Sequence, residues 1–179
     1  MDYRFRFKQL PAINHSTLGH CVQMRPAGLP QLQVLLQRYP RVRIVIDHCL
    51  GVPLESGPPY PNADVLFSLA RHENIYLKLT PIIINKARAG AASPETFFPR
   101  VLAEFGAHRI AWGSNFPTNA GTLAELLQQS RDALAFASEE EHEAIFCKTA
   151  ELLYPALRAT RTPAARAAHS DPASDKVLP

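Results

Sequence analysis

The chain has 179 residues, 46% hydrophobic and 20% charged, which suits a globular domain with one sizeable core. Its formal net charge of +3 comes from scattered Lys and Arg rather than a dense basic run with interleaved aromatics, so nucleic acid is not an expected partner. No stretch approaches the ~20 apolar residues of a membrane span, the N-terminus lacks the apolar core of a secretory signal, and Cys21, Cys49 and Cys147 show no CxxC spacing. The expectation is a soluble, cytoplasmic protein without a membrane partner.

Residues 1–8 alternate Tyr3, Phe5 and Phe7 with Arg4, Arg6 and Lys8, the two-residue period of a strand, although a frayed extension reads equally well. We assign 1–18 to an N-terminal extension or the remnant of a missing half. Residues 18–24 and 42–47 read as short buried strands, the second (VRIVID) rich in β-branched side chains, with a helix over Leu29–Arg38 between them. Strand, helix, strand is the βαβ unit. The pattern recurs as a helix over 63–71, a strand over Ile75–Leu79, a helix over Pro94–Phe105 and a strand over 109–112. Ser93 before Pro94 reads as an N-cap, and Phe97, Val101 and Phe105 fall at four-residue spacing on one face.

Two capping boxes, Thr122 with Glu125 and Ser138 with Glu141, predict two further helices, and Leu123, Leu126, Leu127 and Leu134 form an apolar stripe. From residue 159 the composition turns to Ala, Pro, Ser, Thr and Arg without a periodic apolar face, which predicts a disordered tail over 159–179. The folded domain is then 19–158.

About four strands alternating with helices imply an α/β fold with a parallel sheet, doubly wound or part of a barrel. The chain has no GxGxxG and no Walker-type loop, so the nucleotide-binding version loses its main support. A complete (β/α)8 barrel normally needs ~250 residues, so a complete one does not fit in this chain. In either architecture functional groups gather where the strands end.

His48 follows an apolar strand and precedes Gly51, a placement suited to a metal ligand or proton-transfer group; the alternative is a histidine hydrogen-bonded in a loop. Asp47, its neighbour, is expected to point to the opposite face, toward the helices. Asn115, in WGSNFP, either positions a substrate or water or serves as a turn residue before Pro117. Lys78 interrupts an apolar strand and needs an anionic partner, either a substrate carboxylate or an internal salt bridge. Gln23 and Arg25 are weaker substrate-binding candidates of the same sort. The cysteines read as small buried fillers.

Taken together, LPQLQVLLQRYPRVRIVIDHCLG, LARHENIYLKLT and FGAHRIAWGSNFPTN resemble the later part of the amidohydrolase-related (amidohydrolase 2) family over residues 19–154. The specificity lies in the order and spacing of the three signatures. The resemblance implies the C-terminal half of a TIM-like barrel, about four βα units plus a C-terminal helix. It implies a hydrolase acting on a small, carboxylated lactone, ester or amide through an activated water, with a metal-dependent decarboxylase and a truncated non-catalytic remnant as alternatives. It places His48 at the family's late-strand histidine, as catalytic group and metal ligand. Asn115 falls where the family has its final-strand aspartate.

Three departures accompany the resemblance. The family's first-strand His-x-His is absent, Asn115 replaces an acid, and Thr149 stands where the family usually has asparagine. The implied cofactor is a divalent metal such as zinc in a full-length member, held weakly or not at all by this chain. The expected partners are a small-molecule substrate and either a second copy or a complementary half-barrel, because an open half-barrel leaves two strand edges unpaired.

Overall fold

Short β-branched runs separated by amphipathic helices fold into one parallel sheet in the computed structural model, which describes residues 19–159. The strands are β1 (Gly19–Val22), β2 (Arg43–Ile46), β3 (Ile75–Leu79) and β4 (Ile110–Trp112). Between them lie α1 (Leu29–Arg38), α2 (Asp64–Phe67), α3 (Pro81–Lys86) and α4 (Pro94–Phe105); α5 (Leu123–Asp132), α6 (Glu139–Glu143), α7 (Thr149–Leu153) and α8 (Ala156–Ala159) follow β4. The expected extension over 1–18 and most of the expected tail lie outside the described residues.

The strand order is β1-β2-β3-β4, every pair parallel. An order that never reverses, joined by right-handed crossovers, puts the connecting helices on one face, as in a barrel; a doubly wound sheet would divide them. Packing bears this out. Ile44, Ile46, Ile75, Leu77, Leu79 and Ile110 face the helices and share a core with Leu32, Leu36, Leu66, Val101 and Phe105. Val45, Tyr76 and Ala111 face the other way, against Leu153 of α7. The chain thus forms four strands of an α/β barrel-type sheet, with α7 laid on the concave face. There Tyr154 Oη lies 2.9 Å from Cys21 Sγ, and Arg43 Nη1 donates to Leu152 O at 3.1 Å.

Helices α1 and α4 form where their periodicity predicts them, with Phe97, Val101 and Phe105 buried. Gly106, at φ 71°, ends α4, and Arg109 seals its last turn by donating to Phe105 O at 2.7 Å and to Ala70 O at 2.9 Å. Both capping boxes are present. Ser93 begins α4 as expected, but its hydroxyl meets the Thr96 hydroxyl instead of a backbone N–H. The expected helix over 63–71 is a 3-10 turn, the single α turn of α2, and a second 3-10 turn. Leu123 drops out of the predicted stripe and is exposed, while Leu126 and Leu134 are buried. A π-helical turn over Ala144–Lys148 joins α6 to α7.

Candidate active site at the carboxyl ends of the strands

Strand β2 stops at Ile46, and the chain then enters the left-handed region for four residues: His48 (φ 55°), Cys49 (φ 48°), Leu50 (φ 64°) and Gly51 (φ 60°). For an L-residue this conformation costs about 1–2 kcal/mol, and here three successive non-glycine residues adopt it. The turn is held from outside. Lys86 Nζ, at the end of α3, donates to Gly51 O at 2.6 Å, and Cys49 and Leu50 are buried beneath. Strain maintained by surrounding contacts is characteristic of residues placed for function.

The turn changes which side chains share a face. The expectation from sequence puts Asp47 toward the helical layer and His48 on the concave side, the reverse of strict alternation from Val45. Instead Asp47 continues the Val45 face and makes a 2.6 Å ion pair with Lys78 Nζ, a short contact off the ideal hydrogen-bonding direction. The left-handed turn then brings the next residue back over that face, where His48 Nδ1 lies 2.9 Å from Thr80 Oγ1. Thr80 shares the face of Tyr76 and Lys78 and is fully buried. His48 Nε2 makes no hydrogen bond among the described residues.

Electrostatics follow from this arrangement. Burial first, and then the charges of Lys78 and Lys86 against the opposing pull of Asp47, hold His48 below the ordinary imidazole range, so the ring is neutral at neutral pH. Burial opposes the Lys78 charge, but Asp47 and Cys21 together outweigh it and hold the ammonium above the ordinary lysine value. The Lys78 stem crosses Gly113 at the end of β4, where a Cβ would stand 3.1 Å from Lys78 Cδ. Complete burial pushes the Cys49 thiol up to about 12, which suits a buried filler. Cys21 is exposed, contrary to expectation.

Asn115, just past β4, is a further non-glycine residue in the left-handed region at this edge, at φ 53°. Its carbonyl accepts from Thr118 N at 3.0 Å, as a turn residue does, while its carboxamide makes no hydrogen bond among the described residues. Gln23 and Arg25 stand exposed just beyond β1, at the same edge of the sheet, with no hydrogen bond or ion pair to His48 or Lys78 among the described residues. The structure thus brings Asp47, His48, Lys78 and Thr80 together, with Asn115 at the end of the next strand. Thr80 and Lys86 escaped the sequence reading because nothing in the chain announces contacts to residues 32 and 35 positions away.

A catalytic zinc takes about three protein ligands. Among the described residues no three His, Cys, Asp or Glu side chains converge to hold a metal ion, and Asp47 is engaged by Lys78. The described residues do not by themselves fit a hydrolytic metal. No helix among them is long and apolar enough to cross a membrane.

Residues 10–156 match the model of the family described as Amidohydrolase. Over 95 residues the chain is 35% identical to L-fucono-1,5-lactonase of Burkholderia ambifaria, a match spanning 52% of this chain and 33% of the lactonase. A zinc-bound amidohydrolase structure from Burkholderia multivorans superposes with a TM-score of 0.61 at 22% identity, over 76% of this chain and 52% of that one. A structure from Pseudomonas putida described as 2-pyrone-4,6-dicarboxylic acid hydrolase gives 0.59 at 21% identity, over 75% and 50%. These two structures speak for the fold alone. The chain spans about half the length of the solved structures it matches and a third of the lactonase.

Proposed function

Since the chain belongs to the amidohydrolase family, we propose that it forms one half of a lactone-hydrolysing active site, with His48 and Asn115 at the reacting carbonyl. The carrying observation is a pair of left-handed residues at one sheet edge, each presenting a polar group without a partner among the described residues: the His48 Nε2 and the Asn115 carboxamide. A carboxamide both donates and accepts, so Asn115 orients water or a substrate hydroxyl but cannot take the water's proton. His48, neutral and fixed on Thr80, acts on the ester carbonyl. Gln23 and Arg25 border the cleft where substrate substituents lie.

The Asp47–Lys78 pair bears on the substrate. Its cation is already matched by an internal carboxylate, which favours an uncharged, hydroxylated lactone of the aldono-1,5-lactone class over a carboxylated one. The likeness to a sugar lactonase supports the same choice. The other half of the barrel, in the same polypeptide or a partner, supplies the remaining walls and the group that accepts the proton.

The test uses the complete barrel, continuous or reconstituted from this chain and its complementary half. Proton release is followed on L-fucono-1,5-lactone and 2-pyrone-4,6-dicarboxylate, and carbon dioxide release on a carboxylated panel. Lactone hydrolysis that falls at least ~100-fold in His48→Ala is expected for loss of a positioned group acting in the transition state. Unchanged turnover in that variant, or carbon dioxide as the product, would overturn the proposal.

A further inference from the structure

Thr80 occupies the N-cap position of α3, with extended backbone (φ −136°, ψ 162°), and its carbonyl accepts from Ile83 N at 3.1 Å and Ile84 N at 3.2 Å. A threonine there ordinarily turns its hydroxyl to an exposed N–H of the first helical turn. This one does not; the helix start goes without a side-chain cap, and the hydroxyl lies against His48 Nδ1 at 2.9 Å. Thr80 is 0% exposed. Its proton must therefore find an acceptor within the protein, and Nδ1 is the one that the described residues offer.

A neutral imidazole carries one proton on two nitrogens, so the direction of this single hydrogen bond decides what the ring presents to the cleft. Were Nδ1 protonated, it would donate to Oγ1, and the buried hydroxyl proton would be left without an acceptor. With Nδ1 unprotonated, Thr80 donates to it, the buried hydroxyl proton is placed, and the ring's own proton sits on Nε2. The cost of a stranded buried donor sets the ratio of the two tautomers at about tenfold or more. The turn anchored by Lys86 keeps the ring in register with Thr80.

We propose that Thr80 is a positioning residue that fixes His48 as the Nε2–H tautomer, so that His48 meets the lactone carbonyl oxygen as a hydrogen-bond donor. In this state Nε2 has no lone pair for a metal ion or for a proton from water, which agrees with the poor fit of the described residues to a metal. The role rests on the lactone-hydrolase reading; the tautomer does not.

The tautomer is read by long-range proton–nitrogen correlation NMR of the nitrogen-15-labelled chain, at a pH where the ring is neutral. The His48 signals are identified by their loss in His48→Gln. The expected result is a pyrrole-like, protonated Nε2 and a pyridine-like Nδ1, at a ratio of about tenfold or more. Thr80→Val, nearly isosteric, should move both nitrogens toward averaged shifts, and Thr80→Ser should restore the wild-type pattern. Added zinc should leave the His48 Nε2 signal in place. A protonated Nδ1 in the wild-type chain, an unchanged pattern in a folded Thr80→Val, or zinc bound through Nε2 would each overturn the proposal. The wild-type spectrum decides it even if Thr80→Val does not fold. In the complete barrel, Thr80→Val should lower kcat with little change in KM. Absence of lactonase activity alongside the expected spectrum would refute the activity and leave the tautomer standing.

Discussion

Replacing Lys78 with Met, Asp47 with Asn, and both together measures how far the site's central ion pair supports the fold. At 2.6 Å and an effective dielectric constant of ~20, the gross attraction is about 6 kcal/mol. Desolvation offsets much of it, because the side chains keep 29% and 15% of their exposure for Lys78 and Asp47 respectively. Burying an ion costs several kcal/mol and breaking a fully buried pair about 3–5 kcal/mol, against ~0–1 kcal/mol for an exposed pair. This pair lies between those limits. Lys78→Met strands a carboxylate with little access to water and should cost about 2–3 kcal/mol. Asp47→Asn leaves an ammonium that can swing toward solvent, and should cost about 1 kcal/mol.

The double variant should recover part of the loss, for a coupling of about 1–2 kcal/mol. Urea denaturation followed by circular dichroism gives all four values. The pH dependence has a definite sign. Lys78 has a raised pKa in the folded state, so its stabilisation is full below the unfolded value of ~10.4 and is lost as pH climbs through the folded one. The gap between wild type and Lys78→Met should therefore be flat near neutrality and close on the alkaline side. Additive single losses, or a gap that persists undiminished at high pH, would refute the ion-pair account.

Gly57, at φ 67°, has no room for a methyl group, since a Cβ would stand 2.5 Å from the Ala91 carbonyl oxygen; Gly57→Ala should destabilise by about 2 kcal/mol or more in the same assay. Thiol alkylation followed by mass spectrometry should label exposed Cys21 promptly and buried Cys49 only on unfolding; equal rates would contradict the Cys49 burial. Analytical ultracentrifugation of the purified chain should show self-association rising with concentration, because among the described residues β1 and β4 each present an unpaired edge; a compact monomer with cooperative unfolding would refute it.

The sheet was legible wherever one period ran without interruption. Ile75–Leu79, Leu29–Arg38 and Pro94–Phe105 form as their patterns predict, because burying one continuous apolar face satisfies local and tertiary demands together. The 63–71 segment broke into short turns, and its brief apolar run gave no sign of that. At the site, alternation was extended one residue too far. Asp47 does follow the strand's period from Val45, but His48 does not oppose it, because a left-handed turn of non-glycine residues resets the direction. Nothing in Asp-His-Cys-Leu-Gly marks such a turn except its last residue. The position of His48 at a strand end was legible; its partner Thr80 was not, since a threonine before Pro81 reads first as a helix cap.

The contact of α7 with the concave face ties together the beginning and end of the described chain. Tyr154 meets Cys21 across a separation of 133 residues, and Leu152 meets Arg43 across 109. Ribosomes extend a chain at about 5–20 residues per second, so β1 leaves the exit tunnel on the order of 10 s before the segment that latches it. During that interval the sheet can assemble strand by strand in its sequential order, but its concave side stays uncovered. Final closure thus waits for α7, and a nascent chain stalled before Leu152 would expose the Val45–Tyr76–Ala111 surface to chaperones.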